Sequence, residues 1–132
     1  MFMVEPVLIG HVKELYPDAH VAVAEDMTTL DKDVIVTISA TAFPFGGGMG
    51  VRWLVDFMVF VFKDGQAPDP RTRALMMGRD IITSMDKAVD AGTLGKVATF
   101  EPTQLPSLTP NKTASQGHVT VGFMCEMRAH YK

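Results

Sequence analysis

Apolar residues recur along this chain with two different periods, and the switches between them lay out its elements. Val4, Val7, Leu8, Val12 and Leu15 fall at the three-and-four spacing of a helical face, which predicts a first helix from about Glu5 to Leu15. Pro6 is compatible with it, because backbone N–H groups in the first turn have no helical partner to lose. Pro17 and Asp18 break the pattern, and His20-Val21-Ala22-Val23-Ala24 then alternates as a short strand before the polar run Glu25 to Asp33. From Val34 to Thr41 the alternation is cleaner. Val34, Val36, Ile38 and Ala40 share one face and Ile35, Thr37, Ser39 and Thr41 the other, so one side is expected against the core.

Phe43-Pro44-Phe45-Gly46-Gly47-Gly48-Met49-Gly50 reads as a loop leading into a strand from Val51 to Lys63 that is apolar on both faces from Leu54 onwards. Val51, Trp53, Val55, Phe57, Val59 and Val61 lie on one side, and Leu54, Met58, Phe60 and Phe62 on the other. Such a strand needs two covers. Helices supply one, and in a chain this small the other is expected from a neighbouring subunit.

Asp69 followed by Pro70 is a helix start, an N-cap acid with proline at the first helical position, and Gly92 is the matching stop. Within this second helix Ala74, Leu75, Gly78, Ile81, Ile82, Met85, Ala88 and Val89 form one stripe. Arg73, Asp80, Thr83, Asp86, Lys87 and Asp90 are left toward solvent, and the small Gly78 permits close approach to the sheet. Leu94 to Glu101 reads as a fourth strand, Pro102 to Gly117 as a long loop punctuated by Pro106 and Pro110, and His118 to Met127 as the last strand. The expected fold is therefore α+β: a mixed or antiparallel sheet of four to five strands flanked by two helices, in the order α-β-β-β-α-β-β.

The length of 132 residues suits a single domain. A formal charge of −3 with scattered Lys and Arg disfavours an interface built on nucleic-acid phosphates. Cys125 is the one cysteine, so an internal disulfide or a thiolate metal site is excluded, in keeping with a reducing compartment. The first fifteen residues contain Glu5, Pro6, His11, Lys13 and Glu14 and do not read as a signal peptide. The longest apolar stretch, Trp53 to Phe62, is interrupted by Asp56 and has about half the length a membrane-spanning helix needs. A soluble protein is expected.

Each candidate for chemistry has a plainer structural explanation. The run Gly46-Gly47-Gly48-Met49-Gly50 lacks the Gly-Lys-Ser/Thr of a phosphate loop and feeds a strand instead of a helix, so a hairpin or assembly loop is expected and no nucleotide cofactor. His11, His20, His118 and His130 lie far apart with no accompanying ligand cluster, which predicts surface or edge histidines and no metal. Cys125 has no base beside it in sequence and reads as a buried, inert thiol. Asp56 interrupts an apolar strand with Arg52 four residues back on the same face, so a structural or intersubunit ion pair is expected. Arg71 and Arg73 sit where their charge opposes the helix dipole, which an acidic partner surface would compensate. The ten methionines suit adaptable packing in a core or an interface.

The first helix ending near Leu15-Tyr16-Pro17, the Val21-Ala22-Val23 strand, the Val34-Ile35-Val36-Thr37-Ile38 strand, the glycine-rich loop, Val55-Asp56-Phe57 and the long helix that follows together resemble the tail-terminator proteins of long-tailed bacteriophages. The resemblance covers most of the chain and rests on element order and apolar pattern, with related neck and connector (stopper) proteins as the nearest alternative. It implies a structural virion protein with no catalytic residues, assembled in the bacterial host cytoplasm as a homo-hexameric ring at the head-proximal end of the tail. Such a ring stops polymerisation of the tail tube protein, presents a docking surface to the head–tail connector, and meets DNA only as it passes through the channel. Contact residues expected on this basis are Phe43, Phe45, Gly46, Gly47, Gly48 and Met49 in one loop, and Leu105 and Leu108 in the other. Arg52, Asp56, Arg71 and Arg73 join them as candidate interface charges. A small-molecule-binding or enzymatic domain with its pocket between the second helix and the sheet, or a homo-oligomeric adaptor unrelated to phage, are the competing classes. The first would need convergent polar groups in an apolar cleft, which the inward stripe of the second helix does not offer.

Overall fold

The alternation along the central strands is realised as a five-stranded sheet with its helices packed on one face. The computed structural model describes residues 3–23, 34–45, 50–62, 70–108 and 118–130. Its elements run α1 (Val4–Leu15), β1 (His20–Val23), β2 (Val34–Phe45), β3 (Gly50–Phe62), α2 (Pro70–Asp90), β4 (Thr99–Leu108) and β5 (His118–His130). This is the expected α+β class in the expected order. The strands lie in the order β1-β2-β3-β5-β4. β1 pairs parallel to β2, whereas the β2–β3, β3–β5 and β5–β4 pairs are antiparallel, so the sheet is mixed.

The core forms where one strand face meets both helices. Val36, Ile38, Val55, Phe57, Val59, Phe123, Cys125 and Met127 face Val4, Leu8 and Val12 of α1 and Ala74, Met77, Ile81 and Met85 of α2 in a contiguous buried cluster. Phe57 and Phe123, partners in the β3–β5 register, stack with ring centroids 4.8 Å apart and planes 4° from parallel. Gly78 brings α2 close to the sheet. A Cβ there would lie 3.0 Å from the Pro106 ring of β4 and 3.4 Å from Phe123, so the glycine sets the approach distance.

The ends of α2 follow from local chemistry. It begins at Pro70, as the sequence predicts, while Asp69 lies outside the described residues. At its other end Gly92 adopts φ 72°, its N–H donates to Val89 O at 3.1 Å, and Thr93 N–H donates to Ala88 O at 2.9 Å. These are the two bonds of a Schellman stop, which satisfies the last carbonyls of the helix. Met77 joins the buried stripe although the sequence pattern did not include it.

Several boundaries differ from expectation. β2 continues through Phe43, Pro44 and Phe45, read from sequence as loop, to pair Phe45 with Gly50. Pro44 is tolerated because it lies beyond the last β1–β2 pair, Val23 with Ile38, where one edge of β2 has no pairing strand among the described residues. Residues 94–98 form a turn instead of the start of a strand, with Val97 N–H donating to Leu94 O at 3.1 Å and both side chains buried. β4 then runs on through Pro102 and Pro106 to Leu108, in place of the expected loop. It is an edge strand with register shifts between Pro102 and Gln104 and between Gln104 and Ser107, a setting in which missing N–H donors are cheap. β5 extends past Met127 to His130.

Candidate functional site: the open face and outer edge of the sheet

Alternation places every second residue of β2, β3 and β5 on the side away from the helices. There Leu54, Met58, Phe60 and Met124 are half-buried, Asp56 and Arg128 are exposed, and Ile35, Thr37 and Thr120 are buried. Phe60 lies between Ile35 and Thr120 in register, so the apolar part of this face is concentrated at one end of the strands. The β2–β3 hairpin end carries the charge. Phe43 pairs with Arg52, whose guanidinium carbon stands 5.3 Å from the centre of the Phe43 ring. Arg128 follows in the same row and donates from Nε to Glu126 Oε1 at 2.9 Å.

One row further on, Glu126 faces Glu101 directly across the β5–β4 pair. Thr99, Phe100, Glu101, Glu126 and Arg128 line a depression of about 330 Å³. Two carboxylates opposite one another repel, and the Arg128 guanidinium offsets part of that cost. Beyond them runs the outer edge, where Leu105 is 70% and Leu108 46% exposed. Exposed leucines on an edge strand that carries two prolines suit side-chain contact with a partner better than strand addition.

The expected interface residues are thus spread over distinct surfaces. Phe43, Arg52 and Asp56 come together on the open face, and Leu105 and Leu108 on the β4 edge, within a strand instead of a loop. Arg71 is exposed and Arg73 half-buried at the start of α2, on the helical side of the molecule. Gly46, Gly47, Gly48 and Met49 lie outside the described residues, as does the side chain of Phe45. The intrachain ion pair expected between Arg52 and Asp56 does not form. Arg52 covers Phe43 instead, and Asp56 needs no buried partner because its face of the sheet is open.

A polar seam that the sequence reading did not find joins the two helices. His11 Nε2 and Ser84 Oγ share a hydrogen bond of 2.7 Å, and Tyr16 Oη donates to Asp80 Oδ2 at 3.2 Å. Burial lowers the His11 pKa, opposed in part by the negative charge of Glu14. Burial first, and the Asp80 carboxylate second, raise the Tyr16 phenol well above its ordinary range. His11 is therefore a half-buried interhelical link, not the surface residue expected. Which residues meet across two helices depends on their crossing, which apolar periodicity does not specify.

Cys125 is buried in the core, and burial, followed by the charge of Asp56, pushes its thiol up to about 12. It is neutral and enclosed at neutral pH, the state expected from sequence. The space between α2 and the sheet, where a ligand pocket was the alternative, is filled by Ala74, Met77, Gly78, Ile81 and Met85 packed toward β3 and β5. Among the described residues no group of three or more His, Cys, Asp or Glu side chains is placed to hold a metal ion. Among them, too, no helix is long and apolar enough to cross a membrane. Comparison with protein-family models gives no matching family, and comparison with curated proteins gives no match.

Proposed function

We propose that this chain is a structural subunit that works by association, as a tail terminator of a long-tailed bacteriophage: it forms a ring on the head-proximal end of the tail tube, stops tube growth and offers a docking surface to the head connector. The observation that carries this reading is the sidedness of the sheet. One face is sealed by α1 and α2, while the opposite face and the β4 edge keep Leu54, Met58, Met124, Leu105 and Leu108 within reach of solvent. Grouped apolar side chains on the surface of a folded chain are characteristic of association surfaces. The element order α-β-β-β-α-β-β, with its resemblance to the terminators, gives that association its biological form.

The test is the solution mass of the purified chain across a concentration series, with electron micrographs of the largest species. Rings of one size with an open centre are expected. A compact monomer at every concentration, with no binding to the ends of purified tail tubes, would refute the proposal. In a phage that carries this gene, deletion of Gly46 to Gly48 is expected to leave the fold intact and reduce the joining of heads to tails. Unchanged phage yield would remove that loop from the contact.

A further inference from the structure

The face of the sheet away from the helices is not uniformly open. Along β2 the residues that point to it change from Ile35 and Thr37, each 3% exposed, to Ser39, Thr41 and Phe43, all exposed. Thr37 has only the small Ala22 and the half-buried Met58 beside it in register, and both helices pack on the other side. Neighbours in the same layer shield the flanks of such a side chain, not its tip. The switch falls level with Ile38, which pairs with Val23, the last residue of β1. Thr120, also buried, carries the covered area past Phe60 to β5.

We propose that residues 24–33, which join β1 to β2, cross the sheet on this face and cover its Ile35–Thr37 end. The contact lies within one chain, so it stands independently of the ring reading. Only the neighbours that anchor the segment, Val23 and Val34, belong to the described residues, and they constrain its path.

β1 and β2 run parallel, so the chain must return from the level of Ile38 to that of Val34 over one face or the other. β3 and β4 are also parallel, each being antiparallel to β5 between them, and α2 makes their crossover. Crossovers between parallel strands of one sheet are right-handed. Both steps go the same way across the order β1-β2-β3-β5-β4, but the first joins strands that run opposite to those joined by the second. Two right-handed crossovers so related lie on opposite faces. α2 holds the helical face, which leaves the other to residues 24–33.

Length and composition suit that path. The return covers about 13 Å at the rise of a strand. Ten residues reach about 33 Å when extended, enough to climb off β1, lie on the face and descend into β2. Met27 and Leu30 are apolar in a segment otherwise rich in Glu, Asp and Thr, and Ile35 and Phe60 offer them an apolar bed. The polar majority and the backbone supply partners for the buried Thr37 hydroxyl, which a purely apolar cover would leave unpaired. The area left to a partner then narrows to the hairpin end, from Ser39 and Asp56 to Phe43 and Arg52.

Thiol labelling tests the cover, with Thr37→Cys and Ser39→Cys made singly in a Cys125→Val chain and iodoacetamide as the reagent. Thr37→Cys is expected to react at least about tenfold more slowly than Ser39→Cys, at every protein concentration. Adding Met27→Ser and Leu30→Ser is expected to bring the two rates within about threefold. Methyl NOE spectra of the unaltered chain need no substitution, and cross-peaks from Met27 or Leu30 to Ile35 or Thr37 are expected. Equal labelling rates in the parent would overturn the proposal. So would protection that disappears on dilution, which would make the cover a second copy of the chain. Absence of those cross-peaks would also overturn it, and would assign the cover to another segment.

Discussion

The two faces of this sheet are built from the same strands, yet they behave as different materials. On the helical side Val55, Phe57, Val59, Phe123 and Cys125 are enclosed, whereas on the open side their neighbours Leu54, Met58 and Met124 are only half-covered and Asp56 is exposed. A one-residue step along β3 thus separates positions that hold the monomer together from positions free to serve a partner. Strand periodicity alone distributes residues between faces. Which face becomes core is decided by where the helices find an apolar layer without a charge in it.

Truncation should separate the faces most sharply. Phe57→Ala removes a fully buried ring stacked on Phe123 and is expected to cost about 3–5 kcal/mol in urea unfolding. Met58→Ala, one residue away on the half-covered side, is expected to cost about 1 kcal/mol or less in the dissociated chain. Equal losses would erase the distinction.

A second separation comes from pH. The folded chain holds the Cys125 thiol protonated up to about 12, against 9.0 for an ordinary thiol. Above 9.0 the unfolded chain releases that proton while the folded one keeps it, so stability falls as pH rises from there toward 12. Cys125→Val is expected to flatten this decline without abolishing it, because Tyr16 contributes a limb of the same sign at higher pH. On the acid side His11 has the reverse sense. Its pKa is lowered on folding, so stability is lost as pH falls below 6.5, and His11→Gln should remove that loss. Chemical-denaturation midpoints at graded pH would read all three groups.

Smaller effects sharpen the picture further. Gly78→Ala gains helix propensity but places a methyl 3.0 Å from the Pro106 ring, which belongs to a strand and has little room to give. A net loss of about 1 kcal/mol is expected in the melting curve, overpacking exceeding propensity. Least of all, Asp56→Ala should change monomer stability by under about 0.5 kcal/mol, because the carboxylate is exposed and unpaired with Arg52.

Much of this architecture is legible in the residue pattern. The faces of β2 follow from alternation, and Pro70 and Gly92 mark both ends of α2. The misreadings cluster at prolines. Pro44, Pro102 and Pro106 read as loop, yet each sits in a strand where an unpaired edge or a register shift excuses the missing donor. Whether an edge is free depends on strand order, a property of the whole fold. The candidate interface was only partly visible for the same reason. Arg71 and Arg73 at the start of α2 can be read locally, but the rows that set Arg52 beside Arg128 and Glu126 opposite Glu101 are assembled from three strands. The His11–Ser84 bond, which joins positions on two helices, left no local trace at all.

The placement of β5 between β3 and β4 also sets the order in which the molecule can be made. β2 and β3 are joined by a short connection and can zip as soon as both exist, but the centre of the sheet stays open until β5 arrives from beyond α2 and β4 to pair Gly50 with His130 and Phe62 with His118. Closing so long a loop is entropically slow compared with forming a hairpin. One edge of β3 therefore waits, unpaired, for the last strand, and an unpaired edge in that interval is where misassembly is most accessible.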